Sequence, residues 1–357
     1  MSRLLLVKFS SMGDLIHMLP AVTDSLRAIP HLQLDWLVEE AFQAIPSWHP
    51  GVGQRHIIGL RRWKKAFFAR ENRQQMAHFI ASVRQTPYDC VIDAQGLMKS
   101  ALTARLCAPG TPLHGPSKQW AREPLACHLY HHRHGVAKPG HVITQLRQLM
   151  AASLGYSMPT TPADFGIERS RLPACPPWWQ DHEGAQATTP YLIFLHGAGW
   201  SSKAWPEPYW VELARQMGQQ HPLPILLPWG SVEEFNRAQR IAAQAPMCQV
   251  LPQLSMAQVA ALIADAAAVV GLDSGFAHLA AALNTPHITL YGATNPDYSG
   301  VAAQRGALLR SSRACAPCMQ RRCPLSLEEQ GALAPPCFTS LPPAHIATAL
   351  TQLLERH

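Results

Sequence analysis

Two doubly wound α/β domains in tandem are the fold predicted by this 357-residue chain. Three observations carry that reading. Short apolar runs alternate with helical stretches, the rhythm of βαβ units and a parallel sheet. The rhythm breaks once, around residues 166–190, and then restarts. Several strand-to-helix turns are built from Gly, Ser and Asp, as ligand loops at strand carboxyl ends are.

The elements follow in order. Leu4-Leu5-Leu6-Val7 is an apolar run that reads as a buried strand. Leu15, Leu19, Val22 and Leu26 then recur at helical spacing. Leu32–Val38 and His56–Leu60 read as strands, Glu71–Val83 as a helix, Cys90–Asp93 as a strand and Ser100–Leu106 as a helix. Pro and small polar residues over Arg171–Trp179 and Glu183–Pro190 mark a linker. Beyond it, strands at Tyr191–Leu195, Pro224–Leu227, Val269–Leu272 and His287–Tyr291 alternate with helices at Pro208–Gln219, Val232–Ala245, Ala257–Ala266 and Phe276–Leu283. The domains expected are residues 1–168 and 191–340, joined by a linker at 169–190. A last amphipathic helix within 341–357 is expected to pack back on the first domain.

Composition narrows the function. An apolar content of 47% supports a sizeable core and excludes a disordered chain. The net charge of +7 points to an acidic partner: nucleic acid, anionic lipid or a phosphorylated substrate. Nucleic acid is disfavoured, because no basic stripe with interleaved aromatics extends beyond residues 61–68. No apolar run approaches the roughly 20 residues that span a bilayer. Lys8 and Asp14 interrupt any signal-peptide core, so a cytoplasmic protein is expected. Nine cysteines fit reduced thiols better than a disulfide framework.

Four turns carry chemistry. Ser10-Ser11-Met12-Gly13-Asp14 lies between the first strand and the first helix, where Asp14 is either a helix cap or a functional carboxylate. Leu272-Asp273-Ser274-Gly275 opens a helix whose N–H groups suit phosphate, with an ordinary N-cap as the alternative. His196-Gly197-Ala198-Gly199-Trp200-Ser201-Ser202-Lys203 lacks the third glycine of a dinucleotide fingerprint and the spacing of a P-loop. A diphosphate-holding loop with one lysine, or a plain surface loop, remains. Trp229-Gly230-Ser231-Val232-Glu233-Glu234 places Glu234 either on a sugar hydroxyl or in a favourable helix first turn. Three such turns in one domain point to a nucleotide diphosphate compound.

At this point the chain resembles the lipopolysaccharide heptosyltransferase I family, within glycosyltransferase family 9. The resemblance rests on Lys8–Pro20, Asp35–Glu40, Ile45–His49, Arg61–Lys65, Ile92–Leu97, Arg122–Ala126, Lys203–Pro206, Leu227–Gly230 and Asp273–Gly275 with His278. It implies a GT-B fold, two Rossmann-like domains facing a central cleft. It implies inverting transfer of L-glycero-D-manno-heptose from ADP-heptose to the first Kdo of Kdo2-lipid A. A monomer, peripheral on the cytoplasmic face of the inner membrane and needing no metal for chemistry, is the implied setting. Related readings are a transferase of the heptosyltransferase II type, acting on another core acceptor, and a non-catalytic nucleotide-sugar-binding protein.

Under that resemblance Asp14 is the general base, whose pKa desolvation on cleft closure would raise, and Lys203 stabilises the leaving diphosphate. Donor contacts fall on Ala198, Gly199, Lys203, Gly230, Glu234 (ribose), Leu254 (adenine), Asp273, Ser274, Gly275 and His278. Acceptor contacts fall on Ser11, Met12, Gly13, Arg61, Arg62, Lys64, Lys65, Gln95 and Arg122, with His17 and Asp93 nearby. Trp63, Phe67 and Phe68 would suit a lipid headgroup interface. The family carries two threonines where this chain has Ala198 and Gly199, which leaves backbone N–H groups for those phosphate contacts. Cys315, Cys318, Cys323 and Cys337 resemble a cysteine tail of the wider superfamily. Their spacing allows a structural zinc site, two disulfides or four plain thiols.

Overall fold

A computed structural model describes residues 3–66, 69–135, 140–174, 190–302, 304–325 and 335–356. It divides into two compact units, Met1–Arg171 and Leu172–His357. The division falls inside the stretch read as a linker, of which residues 175–189 lie outside the described residues.

The first unit carries strands β1 (Arg3–Val7), β2 (Gln33–Glu39), β3 (Val52–Ile58), β4 (Cys90–Asp93), β5 (Leu113–Pro116) and β6 (His132–His134). Its helices are α1 (Met12–Ala28), α2 (Leu60–Lys65), α3 (Arg70–Arg84), α4 (Met98–Cys107) and α5 (Val142–Leu154). The second unit carries β7 (Leu192–Leu195), β8 (Ile225–Leu227), β9 (Cys248–Val250), β10 (Ala268–Leu272), β11 (His287–Tyr291) and β12 (Gly306–Arg310). Its helices are α6 (Glu207–Gln220), α7 (Val232–Ala242), α8 (Met256–Asp265), α9 (Gly275–Ala282), α10 (Pro296–Ser299) and α11 (Pro343–Glu355).

The sheets run β3-β2-β1-β4-β5-β6 and β12-β11-β10-β7-β8-β9. Every strand pairing is parallel. Each sheet is therefore a doubly wound sheet whose order reverses beside its first strand, between β1 and β4 in one unit and between β7 and β10 in the other. Ligands of open α/β sheets bind at such switch points. Leu4, Leu5, Leu6 and Val7 are fully buried, as a strand covered on both faces requires. Helix α5 ends at Gly155, whose φ of 77° is the left-handed cap that favours glycine.

Helix α11 packs on α6, β10 and β11 of its own unit. Its stripe of Ile346, Ala347, Leu350 and Leu353 completes the second unit's core. The strand read at His56–Leu60 ends at Ile58, because Gly59 caps α2 and Leu60 begins it. Trp63 is buried, edge-on to Phe79 at 5.9 Å, with its indole N–H on Gln75 Oε1. It anchors α2 in the core instead of meeting a lipid headgroup. Phe67 and Phe68 lie outside the described residues. Among the described residues no helix is long and apolar enough to cross a membrane.

Candidate active site

In the first unit the turn after β1 is braced from below. Gln95, at the end of β4, accepts from the backbone N–H groups of Phe9 and Ser10 at 3.0 and 3.2 Å. Asp93 is fully buried and accepts from Gln95 N, Gly96 N, Ser100 Oγ and Tyr130 O–H. Both residues hold the turn. Gln95, expected at the acceptor, is itself buried beneath it. His17 is also buried, edge-on to His141 at 6.0 Å.

Asp14 sits at the third position of α1 and reaches back to the helix start. Its Oδ2 accepts from Ser11 N at 2.8 Å and Ser11 Oγ at 3.0 Å. Its Oδ1 accepts from Arg122 Nη2 at 2.6 Å. The capping role is thus real, and the carboxylate keeps 14% of its surface exposed. Burial alone would raise its pKa. Lys8, Arg122 and the Ser11 donors outweigh that and hold it at about 2. Lys8, to which the sequence assigns no role, is the other cation acting on this carboxylate. It is buried, donates to Ala94 O at 2.7 Å and is pushed down to about 8 by burial, so it remains a cation under Asp14 at neutral pH.

Arg122 is placed by a glycine. Gly96 adopts φ 69°, and a Cβ there would meet Pro116 and the Arg122 backbone. Glu123 N donates to Gly96 O, and Met98 N to Glu123 Oε2, fixing the Arg122 loop on the end of β4. Arg61, Arg62, Lys64 and Lys65 are exposed on α2, away from that turn in sequence. Arg62 pairs with Glu40 at 3.3 Å, and Arg61 lies over the Phe42 ring.

In the second unit Lys203 and Asp273 meet at the switch point of β7 and β10. Lys203 Nζ donates to Asp273 Oδ2 at 2.7 Å, and His278 Nε2 stands 3.3 Å from Asp273 Oδ1. Burial would raise the Asp273 pKa, but His278 and Lys203 together hold it well below the ordinary carboxylate range. Ser274 caps α9, accepting from Ala277 N, so the first N–H groups of α9 open beside this cluster. Lys203 also lies 4.6 Å from the Trp200 ring centroid, and Arg321 lies 5.5 Å from it.

Glu234 bridges two loops. Its Oε2 accepts from Gly230 N at 2.7 Å, and a Cβ on Gly197 would fall 2.2 Å from its Oε1. A side chain at Gly197 would thus displace the Glu234 carboxylate. Gly199 has open space around its Cα, and Ala198 and Leu254 are partly exposed.

The 199–203 loop is held from far along the chain. Ser202 Oγ donates to Gln320 O, and Ser202 N and Ser201 Oγ to Arg321 O. Behind it, Cys315, Cys318, Cys323 and Cys337 line one cavity of about 110 Å³ together with Ser202. All four are free thiols, and burial pushes Cys337 up to about 11. Among the described residues no group of three or more His, Cys, Asp or Glu side chains is arranged to hold a metal ion. The described residues thus present no ready-made arrangement for the zinc reading.

Two parallel Rossmann-like units, each with a charged turn at its switch point, define a glycosyltransferase of the GT-B type. The chain belongs to glycosyltransferase family 9 (heptosyltransferase), whose model matches residues 76–328. It is 42% identical to lipopolysaccharide heptosyltransferase 1 of Pseudomonas aeruginosa, over 99% of this chain and 98% of that one. It is 41% identical to lipopolysaccharide heptosyltransferase 1 of Escherichia coli, over 87% and 94%. The structure of E. coli heptosyltransferase WaaC with ADP matches at a TM-score of 0.78 and 40% identity, over 87% of this chain and 93% of that one.

Proposed function

We propose that this protein transfers L-glycero-D-manno-heptose from ADP-heptose to the first Kdo of Kdo2-lipid A, at the cytoplasmic face of the inner membrane. The observation that carries the mechanism is the Asp14 carboxylate, ionised and tethered at the β1–β4 switch point. Asp14 takes the proton of the acceptor hydroxyl as that oxygen attacks the anomeric carbon. The displacement is single, so configuration inverts. Negative charge gathers on the departing ADP, and Lys203 with the N–H groups of α9 stabilises it. Asp273 and His278 keep Lys203 oriented, and Glu234 accepts from a ribose hydroxyl. Arg61, Arg62, Lys64, Lys65 and Arg122 receive acceptor anions, for which guanidinium forks are suited. Ser11, Met12 and Gly13 supply the wall beside Asp14.

A base held at about 2 is a weak one. An acceptor carboxylate that draws Arg122 away removes one of the two cations holding Asp14 down. Acceptor binding thereby strengthens its own base.

The test is ADP release from ADP-heptose in the presence of Kdo2-lipid A. Turnover with that pair is expected. Turnover only with an already heptosylated acceptor would replace this reading by a type II transferase. Asp14→Asn is expected to lower kcat by roughly 10²–10⁴-fold while the donor Kd stays unchanged.

A further inference from the structure

Exposed apolar side chains are concentrated on one face of the first unit. Nine large ones are exposed among the described residues, and four of these are Met98 (38%), Leu102 (51%), Leu106 (42%) and Leu125 (68%). Met98, Leu102 and Leu106 recur every four residues and so form one stripe along α4. Leu125 lies on the 3-10 helix Pro124–Leu129. That helix runs beside α4 and is tied to it at both ends. Met98 N donates to Glu123 Oε2, and Arg105 Nε donates to Leu129 O. The four side chains therefore belong to one surface.

Charge surrounds it. Lys99, Arg84 and Arg122 are exposed, and Arg84 Nε donates to Leu106 O at the far end of the stripe. The wider unit agrees. Residues 1–171 hold 20 Lys and Arg against 11 Asp and Glu, a net of +9, while residues 172–357 hold 10 against 12, a net of −2. The stripe also starts at the site, since the Glu123 contact that fixes Met98 neighbours Arg122, the partner of Asp14.

We propose that the α4 stripe with Leu125 is the face by which this protein docks on an anionic bilayer, its leucines entering the headgroup boundary and its basic rim meeting lipid phosphates. An apolar stripe inside a basic rim is the pattern of interfacial binding. Each nearby Lys or Arg strengthens attachment to an anionic surface. The inference rests on the acceptor reading above, because a lipid-anchored acceptor must be met at its membrane. The stripe leads away from Asp14 along α4, so docking there brings the sugar end of such an acceptor to the carboxylate.

The experiment measures partitioning onto phosphatidylcholine vesicles with and without phosphatidylglycerol. Wild-type protein is expected to bind the anionic vesicles far more tightly. Leu102→Ser combined with Leu125→Ser should weaken that binding roughly thirtyfold. Lys99→Glu should weaken it on anionic vesicles alone. The leucine double variant should keep wild-type turnover of a water-soluble, deacylated acceptor and lose turnover of the vesicle-borne one. Unchanged vesicle binding in both variants overturns the docking face. No turnover of either acceptor by wild-type protein overturns the acceptor reading instead, and leaves vesicle binding to decide the face.

Discussion

Under the proposed mechanism Asp14 has two jobs that compete, and Arg122 sets the balance between them. In the free protein the carboxylate is a helix cap and half of an ion pair, held at about 2. A depressed carboxylate stabilises the fold above its unfolded pKa of about 4, and loses that contribution as pH falls through the folded value. Arg122→Ala removes one of the cations holding Asp14 down. The acid limb of kcat/KM should then move upward, toward the ordinary aspartate value of about 3.9, and the acceptor KM should rise. A pH–rate profile checks this, and an unmoved limb would show that Arg122 does not govern the base. Gly197 poses a steric question of the same size. A Cβ there meets Glu234 Oε1 at 2.2 Å, so Gly197→Ala must push the carboxylate aside. On the ribose role proposed for Glu234, losing that hydrogen bond to a charged group should weaken the donor Kd roughly tenfold, read by ADP titration.

Helices α1 and α5 are joined by a buried ion pair that neither segment announces. Arg147 Nε donates to Asp24 Oδ2 at 2.6 Å, and the same guanidinium reaches Thr161 O and Pro159 O. Asp24→Ala strands a buried cation and should cost about 3–5 kcal/mol of stability, measured by denaturant unfolding. The pair shows where the sequence runs out. Strands with long apolar runs, such as Leu4–Val7 and His287–Tyr291, are legible because burial on both faces leaves a continuous signal. His132–His134 and Cys248–Val250 are three-residue edge strands with part of their surface exposed, so no such signal forms. Gly306–Arg310, five residues long, is likewise a partly exposed edge strand. The site divides likewise. Asp14, Lys203, Asp273 and Glu234 are legible because strand-end turns of small and acidic residues announce ligand loops. The pairing of Asp14 with Arg122 joins residues 108 positions apart, and no local pattern encodes it. Lys8 reads as the end of an apolar strand, and only its burial shows that its charge acts on Asp14.

At the scale of the whole chain, two units carry separate cores, one built on β1 and β4 and one on β7 and β10. A ligand that binds one native unit stabilises that unit by mass action, about 2.7 kcal/mol at a hundredfold excess over Kd. Calorimetry with ADP should therefore raise the transition of the second unit and leave that of the first in place; equal shifts would mean that the two unfold as one. The order of synthesis gives the ties across the second unit a further meaning. Ser202 bonds to Gln320, 118 residues later. At about 5–20 residues per second, a nascent chain waits roughly ten seconds between making the donor loop and making the segment that secures it. The turn around Asp14 waits a comparable time for Arg122, but completes while the second unit is still unmade. The first unit's candidate site is thus complete before the second unit's is made.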